Sequence, residues 1–200
     1  TGESSFPRRL SLKGPSSAEM SEQFDAVRKW IAGLCALPHY RVELREVGTT
    51  PLGRTMYVAF ISSAANLDRL DELREMNRRL ALEPELEQAE ISRLVADGRV
   101  FVMATLSMHS GEVAPSQSLP LYAHELATTT DPGVLDQLDE VVLMVVPCHN
   151  PDGMDMVVEH YRTYKGTPYE GSSLPGVYHK YVGHDNNRDF VALTQADTRV

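Results

Sequence analysis

His109 and Glu112 stand three residues apart in Met108-His109-Ser110-Gly111-Glu112. An imidazole nitrogen and a carboxylate at that spacing can turn toward one metal ion, with Gly111 letting the backbone bend between them. Zinc takes such nitrogen and oxygen ligands. The competing reading is a polar turn carrying a surface histidine, because a chain with seven histidines will often show one His-x-x-Glu by chance. His149-Asn-Pro-Asp152 offers the same spacing with aspartate. A third polar cluster, Asn187-Arg188-Asp189, brings an amide and a guanidinium together. A guanidinium fork can grip both oxygens of a carboxylate, and the neighbouring amide can add a donor. Taken alone, that cluster also reads as a surface turn with a local ion pair.

The elements that would position these clusters follow from periodicity. Ser16-Ser17-Ala18-Glu19 resembles a capping box ahead of a helix to about Leu37, with Phe24, Val27, Trp30, Ile31 and Leu34 as its core stripe. Arg41–Val47 alternates as a half-exposed strand ending in a bulge or twist. Thr55–Ser62 is the next strand, and the two form a hairpin. Asn66 is expected to cap a helix of some 18 residues with Leu67, Leu70, Leu73 and Leu80 inward. A shorter helix over Pro84–Ala96 points Leu86, Ile91, Leu94 and Val95 inward and closes at Gly98. Residues 99–108 then read as a central strand covered on both faces, since both parities of Val100-Phe-Val-Met-Ala-Thr-Leu106 are apolar. Pro115–Thr130 is a helix and Glu140–Pro147 a second buried strand, which together predict a parallel βαβ unit. Residues 149–153 read as a tight turn. Residues 154–183, rich in Tyr, Gly and Pro, read as a long irregular segment of the kind that carries function.

Composition narrows the classes. Two hundred residues suit one domain, and the apolar and charged fractions are those of a globular protein. A net charge of −9 with no Lys/Arg patch argues against nucleic-acid binding. No run of 18 apolar residues is present to span a membrane. Cys35 and Cys148 could pair or remain buried thiols. The chain opens on Thr1, which fits a cleaved signal peptide and a trimmed segment equally.

The three clusters lie in order at the ends of predicted sheet elements. With "MHSGEV", "GTPYEGS" and "YHKYVGHDNNRD" as they stand at 108–113, 166–172 and 178–189, the chain resembles the zinc carboxypeptidases typified by carboxypeptidases A and B, and most of all their large bacterial members. The resemblance runs from the first helix to about residue 190. It implies an α/β fold with a mixed, mainly parallel twisted sheet flanked by helices, carboxypeptidase-like and phosphorylase/hydrolase-like. It implies that His109 and Glu112 are two ligands of one catalytic zinc. It implies that Asn187 and Arg188 hold the C-terminal carboxylate of a peptide substrate, and that an arginine supports the oxyanion. Arg162 is the candidate for that last role, with Lys165 as runner-up. The activity implied is hydrolysis of C-terminal peptide bonds by a zinc-activated water, in a secreted or periplasmic protein.

The resemblance also implies a third zinc ligand, a histidine, and a catalytic glutamate well beyond the Asn-Arg pair. Val200 lies only 12 residues after Arg188. Residues 1–200 are therefore expected to form one domain, the N-terminal portion of a longer catalytic domain whose sheet and zinc site are incomplete here. Such a chain should be inactive alone and would have the missing C-terminal part as a partner. A second reading is a non-catalytic peptide- or cell-wall-binding module of the same fold. A serine or nucleotide-dependent enzyme is disfavoured, since neither G-x-S-x-G nor G-x-x-x-x-G-K-[ST] occurs.

Overall fold

The computed structural model describes residues 41–199; the helix expected up to Leu37, and Cys35 within it, lie outside them. Strand β1, Val42–Thr49, pairs antiparallel with β2, Thr55–Ile61. The register slips between Glu46 and Gly48, so the expected bulge falls at Val47. Three helices follow: α1, Ala64–Asp68; α2, Leu70–Leu82; and α3, Gln88–Asp97. Strand β3 spans Val100–Thr105 and leads to α4, Val113–Thr128. Helix α5, Pro132–Glu140, runs directly into β4, Val141–Val146. Helix α6 covers Pro151–Tyr164, and two single turns, α7 (Asn186–Asp189) and α8 (Ala196–Arg199), come last.

The sheet order is β1-β2-β4-β3. Only β3 and β4 are parallel, as the βαβ pattern predicts; β1–β2 and β2–β4 are antiparallel. The sheet is thus mixed but not mainly parallel among the described residues. The reason is that β2 enters beside β4 rather than after a crossover helix. On one face Val42, Ala59, Ile61 and Val145 meet Leu119 and Ala123 of α4 and Leu138 of α5. On the other, Val142 meets Leu70, Leu73 and Met76 of α2 and Leu94 of α3. Each fully buried aliphatic side chain is worth about 1.5–3 kcal/mol, so these two layers fix the sheet between the helices.

Several boundaries differ from expectation, each for a local reason. Ser63, not Asn66, caps α1, and the helix breaks at Arg69 before α2 begins. Asn66 is buried, and its amide nitrogen donates to the carbonyls of Asp139 (2.8 Å) and Leu138 (3.2 Å), tying α1 to the end of α5. Met76 is buried where Leu80 was expected, and Val95 is exposed. Helix α5 was not anticipated. Asp131 caps it by accepting from Gly133 N–H at 2.8 Å and Val134 N–H at 3.2 Å, and Pro132 occupies its first turn. Helix α4 starts at Val113, two residues before the expected Pro115, and carries Pro120 in its interior. Among the described residues strand β3 is the last in the sheet, with Val100, Val102 and Met103 exposed, so the cover expected on both its faces is not seen there. Residues 151–164 are helical, not turn and irregular chain.

Candidate active site

Strands β3 and β4 end side by side. Leu106 N–H donates to Val146 O at 3.0 Å, and His149 N–H donates to Leu106 O at 2.8 Å. Ser107, which follows, is buried with φ 50, a left-handed conformation that a non-glycine residue holds only under compensation. Its hydroxyl donates to Glu112 O at 2.6 Å and sits 2.6 Å from Ser116 Oγ. The chain is thereby bent into a tight turn, closed by Glu112 N–H donating to His109 O at 2.8 Å. Within it, His109 Nδ1 lies 3.2 Å from Glu112 Oε1, both side chains reaching solvent.

That separation bears on the metal question. Two donors about 2.0–2.2 Å from one tetrahedral ion stand roughly 3.3–3.6 Å apart. An imidazole and a carboxylate at 3.2 Å therefore suit one edge of a zinc tetrahedron. Among the described residues no group of three or more His, Cys, Asp or Glu side chains could hold a metal.

Three turns converge beside this pair. Asn150, fully buried, caps α6 by accepting Gly153 N–H on Oδ1 at 2.8 Å. Its Nδ2 donates to Asn186 Oδ1 at 3.0 Å, and its carbonyl lies 3.4 Å from Ser110 Oγ. A Cβ on Gly153 would collide with Tyr178 O, Ser110 Oγ and Asn150 Nδ2, so the 108–112, 148–153 and 178–190 segments pack around a position that only glycine fits. Tyr178 stands edge-on to His109, with ring centroids 6.3 Å apart. Burial, together with the carboxylates of Asp185 and Glu112, pushes its hydroxyl pKa up, while Arg188 pulls it down. Tyr178 therefore feels charges from both the 109–112 turn and the 185–188 turn. Sequence reading gave this tyrosine no role, because it lies in a segment without periodicity.

Asn187 and Arg188 are exposed on α7, whose N-cap Asp185 accepts Arg188 N–H on Oδ1 at 3.2 Å. Asp189 beneath them is fully buried. Burial opposes its charge, but donors from Thr194, Thr198, Gln195 N–H (2.8 Å) and His184 Nε2 (2.8 Å) hold its carboxyl well below the usual range. His184 and Asp185 thus brace the turn. Asp189 is not the partner of a local ion pair with Arg188.

Other residues fall elsewhere. Arg162 lies in the last turn of α6, with one guanidinium nitrogen buried and lacking a hydrogen-bond partner among the described residues. It stands eleven positions along the helix from Pro151, roughly 16 Å at 1.5 Å per residue. The structure does not bring it to the cluster at the other end of α6. Lys165, the C-cap of that helix, is farther still and lies over the Tyr161 ring. His149 and Asp152 do not form a pair. The His149 ring is buried and stacks on Phe190 with centroids 5.7 Å apart; Asp152 accepts from Thr50 Oγ1 at 2.8 Å and Leu52 N–H at 3.1 Å, holding the β1–β2 turn. Cys148 is a buried free thiol whose pKa burial pushes up to about 12, so it is no nucleophile.

A family model described as zinc carboxypeptidase matches residues 27–199. Solved structures share the fold. A putative carboxypeptidase A from Shewanella denitrificans is 16% identical with a TM-score of 0.51, the match covering 88% of this chain and 34% of that one. A metallo-carboxypeptidase from Burkholderia cenocepacia is 18% identical with a TM-score of 0.51, covering 92% and 36%. One from Pseudomonas aeruginosa, in complex with (2-guanidinoethylmercapto)succinic acid, is 16% identical with a TM-score of 0.52, covering 89% and 34%. The chain thus spans about a third of the length of these structures. No curated protein matches it.

Proposed function

We propose, from the premise that the chain belongs to the zinc carboxypeptidase family, that it carries part of a site that removes residues from the C-terminus of peptides. His109 and Glu112 would hold one zinc ion together with a third donor outside the described residues. Bound there, the ion would polarise the scissile carbonyl and activate a water. Asn187 and Arg188 would grip the free carboxylate of the peptide end, the guanidinium taking both oxygens. Tyr178, between the two turns, would line the cleft in which the terminal residue lies. Arg162 is given no part in it. Export to a secreted or periplasmic compartment belongs to the same proposal.

The observation that carries the proposal is the meeting of the turns at Asn150: its Nδ2 donates to Asn186 Oδ1 at 3.0 Å, directly before Asn187 and Arg188, and its carbonyl lies 3.4 Å from Ser110 Oγ, within the turn that holds the His–Glu donor pair 3.2 Å apart. With only two donors present, the 200-residue chain alone is expected to show no turnover of a peptide with a free C-terminus when zinc is added. Efficient turnover would contradict this. Ligand binding tests the recognition half separately. N-acetyl-phenylalanine should bind at least tenfold more tightly than its amide, and Arg188→Gln should erase the difference. Equal binding of acid and amide by the unaltered chain would overturn the proposal. A peptide- or cell-wall-binding module of the same fold would keep the acid preference and retain no zinc through dialysis, even when joined to the rest of its polypeptide.

A further inference from the structure

The buried polar contacts around Asn150 do more than cap a helix. Gly153 N–H donates to Asn150 Oδ1 at 2.8 Å, which fixes that amide with its oxygen toward α6 and its nitrogen away from it. The nitrogen then donates to Asn186 Oδ1 at 3.0 Å. Asn186 is fully buried and is the first residue of α7, directly before Asn187 and Arg188. His179 Nε2 lies 2.7 Å from the same oxygen and 3.2 Å from Asn150 Nδ2; as the Nε2–H tautomer it donates to Asn186 Oδ1 over the shorter contact. The orientations of the two amides follow in turn from a backbone N–H that cannot flip. Asn150 Nδ2 also lies 3.4 Å from Tyr178 O, so the same amide reaches the tyrosine between the two turns.

We infer that Asn150 is a positioning residue for peptide recognition: with His179 it locks Asn186, and through Asn186 the Asn187–Arg188 turn, onto the N-terminus of α6. The inference rests on the carboxylate-binding role proposed for Asn187 and Arg188. The reason for the arrangement is entropic. Arg188 is exposed on a single helical turn, and a side chain held by so short an element must be ordered at each binding event unless the backbone beneath it is already fixed. Two hydrogen bonds converging on one buried oxygen supply that fixation, and the buried Asp189 carboxylate secures the other end of the turn.

The test separates the cap from the clamp. In Asn150→Ser the hydroxyl can still accept Gly153 N–H, but it is too short to reach Asn186. His179→Phe removes the second donor and leaves the cap untouched. Amide NMR spectra of the 200-residue chain, with N-acetyl-phenylalanine and its amide as probes, read both effects. In each variant the signals of 185–189 should move or broaden while those of β2 and β4 stay in place. Acid binding should weaken at least tenfold in Asn150→Ser and about threefold in His179→Phe, with binding of the amide unchanged. If Asn150→Ser fails to fold, His179→Phe decides. An acid preference that survives in the folded variants, with 185–189 unmoved, overturns the clamp alone. If the unaltered chain binds acid and amide alike, the carboxylate reading fails, and the clamp loses its purpose with it.

Discussion

Strands β3 and β4 run parallel, differ little in composition, and each ends in His-x-x-acid, yet the structure treats them in opposite ways. β4 is interior, with Val142 and Val145 buried between helices on both faces; β3 is outermost among the described residues, with Val100, Val102 and Met103 exposed. At their ends the contrast inverts in usefulness. The His149 ring is sealed against Phe190 and Asp152 is spent on the β1–β2 turn, so that motif holds the molecule together. His109 and Glu112 face one another at the surface and remain available. Availability, not spacing, separates a candidate ligand pair from a structural one.

Substitutions can break this comparison, and the largest effect belongs to the strands. Val142→Asp, which buries an unpaired charge, should cost more than about 3 kcal/mol or prevent folding, whereas Val102→Asp at the edge should cost less than about 1 kcal/mol. Urea titration followed by circular dichroism measures both. Equal losses would mean that β3 is covered after all.

The histidines come next. His149→Ala removes a buried, stacked ring and should cost about 2 kcal/mol, while His109→Ala should change stability by less than about 0.5 kcal/mol. The same denaturation experiment compares them.

The smallest effect is in pH. Burial, and secondarily the nearby His179, holds the His149 imidazole below its ordinary range. Unfolding lets the ring take up a proton, so its contribution is whole above about pH 6.5 and is lost as pH falls toward the depressed folded value. Asp197 is held above the usual carboxyl range, chiefly by burial, and works in the opposite sense. The drop in Tm between pH 7.5 and pH 5.5 should therefore be smaller in His149→Phe than in the unaltered chain, which isolates the histidine's share.

The sequence made the hairpin, its bulge near Val47 and the parallel β3–β4 pair legible, because alternation and apolar runs report directly on pleated structure. It could not reveal that β3 stands outermost in the sheet of the described residues, since an apolar run looks the same whether or not a neighbour covers it. Helix α6 was hidden because Asn150-Pro151-Asp152-Gly153 is turn chemistry and helix-start chemistry at once. Here Asn150 serves as the cap, Pro151 opens the helix, and Gly153 is needed for close packing against Tyr178 O. Helix α5 carried a signal that could have been read, Asp131 before Pro132. Of the candidate site residues, His109, Glu112, Asn187 and Arg188 stood out in the sequence by their motif spacing. Tyr178, His179 and Asn186 act through contacts between distant turns, and such contacts leave no periodic trace. Arg162 stands in the last turn of α6, at the end away from Asn150.

Zinc binding tests the central contrast most directly. Equilibrium dialysis of the 200-residue chain against zinc should show one weakly held ion, lost in His109→Ala and retained within twofold in His149→Phe. Retention in His109→Ala, or loss only in His149→Phe, would contradict the account.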